Sequence, residues 1–371
     1  MLARGETVIQ WMEKLAPKHY AVPDDRIGLQ IGSLRKEIRR VLVALDVTPA
    51  VVEEAGELGA ELIIAHHAPL YRPLKHLQTD TPEGALMASL LRRDIAVYVA
   101  HTNLDSAEGG MNDWMAEALG IEGRAVLEEV HTDKLFKLAV FVPVDHQDAV
   151  RGALFNAGAG WIGNYSHCSF NIEGTGTFLP REGTDPYIGK QGKFEKAAEV
   201  RIETIVPDSA RKAVVQAMLK AHPYEEVAYD LYPVDLKGRS FGLGRVGSLP
   251  QPESLDSFCE RVKKALDVPF VRVVGDGSRQ VRKVAVLGGS GSRYIRHAKF
   301  AGADVLVTGD IDYHTAHDAD AMGLAIVDPG HNAEKIMKPK TARWLQEKLK
   351  AAGYDTEVLP SQANTEPFRL R

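Results

Sequence analysis

Leu62-Ile63-Ile64-Ala65-His66-His67 joins a short apolar run to two consecutive imidazoles. Four apolar residues in a row, two of them isoleucine, read as a strand buried on both faces, the form taken by parallel sheets covered by helices. The same form recurs outward from it, as Val41 to Leu45 and Ala96 to Ala100 in the first third, and as Val284 to Leu287, Val305 to Val307 and Leu324 to Val327 in the last. Ala/Leu-rich helical stretches lie between these runs, so the expected class is α/β, with mostly parallel sheets covered by helices.

The chemistry lies just past the ends of these strands. Ala96 to Ala100 runs into His101-Thr102-Asn103-Leu104-Asp105, Val305 to Thr308 into Gly309-Asp310-Ile311-Asp312, and Ile326-Val327 into Asp328-Pro329-Gly330-His331. Ligands of open α/β sheets bind outside the carboxyl ends of the strands, so these clusters are expected to converge on one crevice. His66, His67, Asp105, His331 and Glu334 then form a set of three imidazoles and two carboxylates. That set suits two divalent ions of the Zn, Fe, Mn or Co class, with Zn or Fe favoured, because thiolates are absent and an all-oxygen cage is not offered. His331 and Glu334, spaced i and i+3 after Pro329-Gly330, share one helix face. Asp105 is the expected bridging carboxylate. Against each residue singly stands the plainer reading of a hydrogen-bonded structural histidine or a capping arrangement; it is the convergence that argues for metal.

The 371 residues are 44% hydrophobic and 26% charged, an ordinary globular composition with room for two or three domains. The 45 basic and 50 acidic residues are interleaved and leave a net charge of −5, so the basic stripe that nucleic acid demands is missing. Cys168 and Cys259 stand in no paired motif, and no apolar run approaches a membrane span. The expectation is a soluble, unexported, cytoplasmic protein that binds neither nucleic acid nor membrane.

Between residues 126 and 237 the texture changes. Phe141-Val142-Pro143 with Ala149-Val150, Ala153-Leu154 and Ala157 returns, 64 positions later, as Ile205-Val206-Pro207 with Ala213-Val214, Ala217-Met218 and Ala221. Each copy reads as strand, proline turn and amphipathic helix, and two such halves make a ferredoxin-like α+β insert. The expected domains are therefore 1–125 and 238–371, two halves of one core, around an insert at 126–237.

Asp25-Arg26-Ile27-Gly28-Leu29-Gln30-Ile31-Gly32, Ala65 to Lys75, His101 to Asp105 with Gly109 to Asp113, Thr308-Gly309-Asp310 with His314 and His317-Asp318-Ala319, and Asp328 to His331 with Glu334 together resemble the Nif-three-like dinuclear-metal proteins, also catalogued as GTP cyclohydrolase I type two homologues. The likeness spans almost the whole chain, and the middle segment with His222-Pro223-Tyr224-Glu225-Glu226 is similar to the PII/CutA-like insert of longer members. The resemblance implies a two-metal site on His66, His67, Asp105, His331 and Glu334, and a homohexameric ring. Ala68 stands where many relatives have proline, and Arg26 where many have asparagine; neither is a metal-binding side chain.

Two functions are expected from these features. The first is a metal-dependent hydrolase acting on a small, nucleotide-like substrate, GTP ring opening being the inherited example, with His314 and His317 as candidate proton-transfer groups. The second is a non-catalytic hexameric metal-binding or regulatory protein. Gly288-Gly289-Ser290-Gly291-Ser292 is weighed as an anion nest against a plain tight turn, since it lacks a full dinucleotide or P-loop pattern. His222, Tyr224 and Glu225 are weighed as cavity-mouth residues against a strand-entry turn.

Overall fold

The computed structural model describes residues 1–369. Its backbone contacts divide the chain into two compact units, Met1–His131 with Phe241–Arg371, and Thr132–Ser240.

The first unit holds two large sheets. In one, the strands run in the order Glu357–Pro360, Arg40–Ala44, Leu62–Ala65, Ala96–Val99 and Gly28–Ile31; the first four are parallel and the last antiparallel. Alternate residues of these strands enter different cores. Val41, Val43, Leu62, Ile64, Ala96 and Tyr98 pack inward with helices Gly5–Leu15, Met111–Ala118 and Met337–Ala351. Leu42, Ala44, Ile63, Ala65, Val97 and Val99 pack outward with helices Pro49–Leu58 and Pro82–Arg92. Burial on both faces is what the unbroken apolar runs required. Thr48 caps the Pro49–Leu58 helix by accepting from the Val51 N–H, and Gly59 closes it at φ 63°.

The second sheet has the order Arg272–Val274, Ala325–Asp328, Val305–Gly309, Gln280–Ser290, Ser240–Ser254 and Glu122–Thr132. Only its central three strands are parallel; Arg272–Val274 and Ser240–Ser254 run antiparallel to their neighbours. The expectation of mostly parallel sheets thus holds for the first sheet and gives way to a mixed pattern in the second. The edge strands Glu122–Thr132 and Arg272–Val274 hold no fully buried residue, and strands wet on one face have no need of the helical cover a parallel arrangement brings. Val284, Val286, Val305, Val307, Ala325 and Val327 join the same inward core as the first sheet, so one helical layer serves both.

The second unit runs Leu135–Pro143, helix Gln147–Asn156, Ser169–Phe178, Glu195–Pro207, helix Arg211–Ala221 and Tyr229–Val234. Its sheet has the order Tyr229–Val234, Leu135–Pro143, Glu195–Pro207, Ser169–Phe178, antiparallel throughout. Leu138, Val140, Val142, Val200 and Ile202 pack on Val150, Leu154, Val214 and Met218, which closes one face of the sheet with the two helices of the internal repeat. Among the described residues, no helix is long and apolar enough to cross a membrane.

Candidate metal centre

Both sheets of the first unit deliver side chains to one place from the carboxyl ends of their parallel strands. Leu62–Ala65 ends in His66-His67, and Ala96–Val99 leads through His101 into the short helix Thr102–Ser106 that carries Asp105. From the other sheet, Ala325–Asp328 leads into the 3-10 helix His331–Ile336. Residues three apart eclipse in a 3-10 helix, which sets His331 and Glu334 side by side, Nε2 to Oε2 at 3.2 Å. Asp328 secures that turn, its Oδ1 accepting from Gly330 N–H at 2.8 Å and its Oδ2 from Ile311 N–H at 3.2 Å.

Three groups of ligand atoms result, the atoms of each lying within 4.8 Å of one another: His66 with Asp105 and Glu334, His67 with His331 and Glu334, and His66 with His67 and His101. The carboxylate common to two groups is Glu334 rather than Asp105. Its Oε1 lies 3.7 Å from His66 Nε2, and its Oε2 lies 3.1 Å from His67 Nε2 and 3.2 Å from His331 Nε2. Ligands held at about 2.0–2.1 Å around one tetrahedral ion are about 3.3 Å apart, close to this spacing.

Each imidazole is oriented through its other nitrogen. His66 Nδ1 donates to the Ala100 carbonyl at 2.9 Å, His67 Nδ1 to Asp46 at 2.6 Å, His101 Nδ1 to Asp25 at 2.8 Å and His331 Nδ1 to Asp310 at 2.6 Å. Carbonyl and carboxylate oxygens only accept, so Nδ1 carries the proton in every case and Nε2 is the nitrogen left to bind. Asp310 does this from a left-handed backbone, φ 57°, a conformation aspartate adopts more readily than most residues.

The fit to a cation rests on what these atoms lack. His66 is fully buried, and both its Nε2 and Asp105 Oδ1 have no hydrogen-bond partner although they face each other at 3.6 Å. A buried lone pair facing a buried carboxylate oxygen is costly unless something positive lies between them. Burial, with Glu334 close by, pushes the Asp105 carboxyl up to about 6. Glu334 is held well below the usual range; burial opposes this, but His66, His331 and His67 outweigh it. Burial also opposes charge on His67, yet Asp46 and Glu334 lift it to about 10, and Glu334 with Asp310 lifts His331 to about 9.

His67 and His331 open onto a cleft of about 1210 Å³ that Asp46, Asp310, Arg272 and Phe270 also line, whereas His66, Asp105 and Glu334 sit behind them, buried. The model of the Duf34/NIF3 (NGG1p interacting factor 3) family matches residues 3–367. The chain belongs to the Duf34/NIF3 family. It is 55% identical over 367 residues, 99% of each chain, to a "GTP cyclohydrolase 1 type 2 homolog" of Halalkalibacterium halodurans, and 53% identical to the Bacillus subtilis protein of that name, over 98% of each. The solved structure of a Bacillus cereus protein related to NIF3 superimposes with a TM-score of 0.94 at 52% identity, covering all of both chains.

Within this NIF3 chain the histidines singled out on the Tyr313–Ala321 helix go elsewhere. His314 and His317 are exposed and pack edge-on against the Tyr313 ring, at 5.6 and 4.6 Å between centroids, and neither enters a ligand group among the described residues. His101 takes a place in the cluster instead. Asp46, which orients His67, is not marked by any motif, though it follows the Arg40–Ala44 strand as His66 follows its own. Gly288-Gly289 turns out to be strand, not tight turn. A Cβ at Gly288 would lie 2.9 Å from Glu334 Oε1, and at Gly289, φ 65°, 3.0 Å from it, so the glycines leave room for that carboxylate.

Proposed function

We propose that this NIF3 protein is a metal-dependent hydrolase with a two-ion centre, one ion on His66, Asp105 and Glu334 and the other on His67, His331 and Glu334, acting on a polar, nucleotide-like small molecule. The observation that supports it most is the pair of buried, partnerless atoms, His66 Nε2 and Asp105 Oδ1, within a cluster whose every imidazole is oriented through Nδ1. Two divalent ions held there would supply Lewis acidity and lower the pKa of water. Glu334 would hold both through its two oxygens. The ligand types suit zinc, iron, manganese or cobalt, zinc or iron before the others. His67 and His331 would present the outer ion to the cleft, where a substrate could reach it; a purely structural ion is ordinarily closed off.

In this reading His101 moves the proton. It stands beside His66 and His67, and although burial opposes its charge, Asp25 and Asp105 raise its pKa above the ordinary histidine value, so it is poised to donate. His314→Ala and His317→Ala then leave turnover within about threefold of wild type, while His101→Ala lowers kcat by about 10²-fold or more. The proposal also takes Thr132–Ser240 to be a ferredoxin-like, PII/CutA-like insert and the assembly to be a cytoplasmic homohexamer.

The deciding measurement is metal per purified chain by elemental analysis for wild type and Asp105→Ala, followed by assays of the loaded protein for GTP ring opening and phosphoester hydrolysis. Close to two ions per chain, reduced in the variant, with turnover, supports the hydrolase. Two ions without turnover on any substrate favours a non-catalytic binding protein, and a metal-free wild type that refuses added metal rejects the centre.

A further inference from the structure

The second unit holds a cavity of about 660 Å³ made entirely from its own residues, within the range of about 300–1,000 Å³ common to small-molecule sites. It lies on the sheet face away from the two helices. Val200 and Ile202 point into the helical core, so Glu199 and Arg201, one residue out of phase, point the other way. Phe141 is the cross-strand neighbour of Arg201 on one side and Ile172 on the other, and Gly174 faces Glu199. A Cβ at Gly176 would fall 2.2 Å from Glu199 Oε2, so this strand leaves out a side chain where the carboxylate lies.

The connection at residues 179–194 lines the same cavity, and it exceeds the about 12–15 residues beyond which unstructured loops in compact domains usually serve a function. It is tied down by the Asp185 N–H donating to Glu225 Oε1 at 3.0 Å and by the Gln191 amide donating to the Thr184 carbonyl at 2.6 Å. Tyr187, Tyr224 and Phe178 make an aromatic wall, the Tyr187 and Phe178 centroids lying 6.2 and 6.3 Å from that of Tyr224.

Two charged side chains of the central strand stand beside this aromatic wall. Glu199, 8% exposed, accepts a hydrogen bond from the Tyr224 hydroxyl on Oε1 at 2.8 Å, and a carboxylate has lone pairs for further donors. Arg201 gives Nη2 to Glu203 at 2.7 Å, but its Nε is buried without any partner. Acceptor and vacant donor thus sit two residues apart on one strand face beside a wall of mutually tilted rings. The charged residues of the lining are Glu173, Glu199, Glu225 and Glu226 against Arg181 and Arg201, a balance unsuited to a polyphosphate.

We propose that this cavity binds a planar, amino-substituted nitrogen heterocycle of purine or pterin type, as base or nucleoside, its N–H edge on Glu199, an acceptor on Arg201 Nε and its ring against the Tyr187, Tyr224 and Phe178 wall. No residue of the metal centre takes part in this site.

The probe is 2-aminopurine, whose fluorescence is quenched by stacking on aromatic rings, titrated with the full-length protein. Wild type and Asp105→Ala are expected to quench it saturably and alike, Glu199→Gln and Arg201→Met to bind it about tenfold or more weakly, and Tyr224→Phe to quench it less. Circular dichroism and thermal unfolding of each variant establish that it is folded, and Arg201→Met carries the test if Glu199→Gln does not fold. No saturable quenching up to millimolar probe overturns the proposal. So does binding that survives Glu199→Gln and Arg201→Met but is lost in Asp105→Ala, which would place the probe in the metal cleft. Quenching that disappears as protein concentration rises would assign this sheet face to a second copy of the chain and overturn it as well.

Discussion

At the scale of single residues, the centre depends on pairs. In the proposed centre Asp46 holds the Nδ1 proton of His67 and so leaves Nε2 for the ion, and Asp46 is itself held by the Thr365 hydroxyl. Removing such an outer partner typically costs about 10–100-fold in metal affinity. Asp46→Asn is therefore expected to weaken binding of the outer ion by that factor while the ion on His66, Asp105 and Glu334 stays bound; competition with a chromophoric chelator reads both. The same pairs set the response to pH. His67 and His331 are raised from 6.5 to about 10 and about 9, so in the metal-free protein their stabilising protons are fully in place below 6.5 and are lost as pH rises through those values. An incoming ion must displace these protons, so its apparent affinity should climb with pH throughout the range below about 9 and level off above about 10. A flat titration over that range would show that neither imidazole is a ligand. Asp310 was legible as part of a strand-end cluster, but the pairing of Asp46, Asp25 and Asp310 with particular histidines was not, because no periodicity connects an aspartate with a histidine on another element; only the shared sheet edge does so.

At the scale of elements, the strands were legible because burial on both faces writes itself as an unbroken apolar run, as in Leu62–Ala65 and Ala325–Asp328. The antiparallel edges were not, since Glu122–Thr132 and Arg272–Val274 bury too little to leave such a run. The role of Gly288-Gly289 was equally hidden, because close approach between a strand backbone and a carboxylate distant in sequence has no local signature. Gly289→Ala is expected to reduce metal content by displacing Glu334 while leaving far-ultraviolet circular dichroism intact; unchanged metal would mean that the carboxylate can shift without harm. Ile64 is fully buried in the strand that delivers His66 and His67, and Ile64→Ala should cost about 2–5 kcal/mol in denaturant unfolding.

At the scale of the molecule, all five proposed ligands belong to the unit formed by the two ends of the chain, and the other unit enters and leaves at one point. The Thr132 and Ser240 hydroxyls are 3.0 Å apart, and Asp133 N–H donates to the Arg239 carbonyl at 3.0 Å. Replacing residues 134–238 by a two-residue Asn-Gly turn should therefore leave a hairpin and a protein with undiminished metal content, measured by elemental analysis; loss of metal would show that the centre needs the insert. The 64-residue repeat marked both helices of that unit in advance, whereas its long 179–194 connection carries no pattern that foretells a cavity.

His66, His67 and Asp105 follow strands that the first third of the chain gives to one sheet, and His331 and Glu334 follow a strand that its last part gives to the other. An ion between them is a clasp fastening beginning to end. Loading at 100 times the dissociation constant would hold the clasp shut by about 2.7 kcal/mol, so a protein nicked within 179–194 should stay a single particle when loaded and part into two pieces more readily once a chelator has opened it.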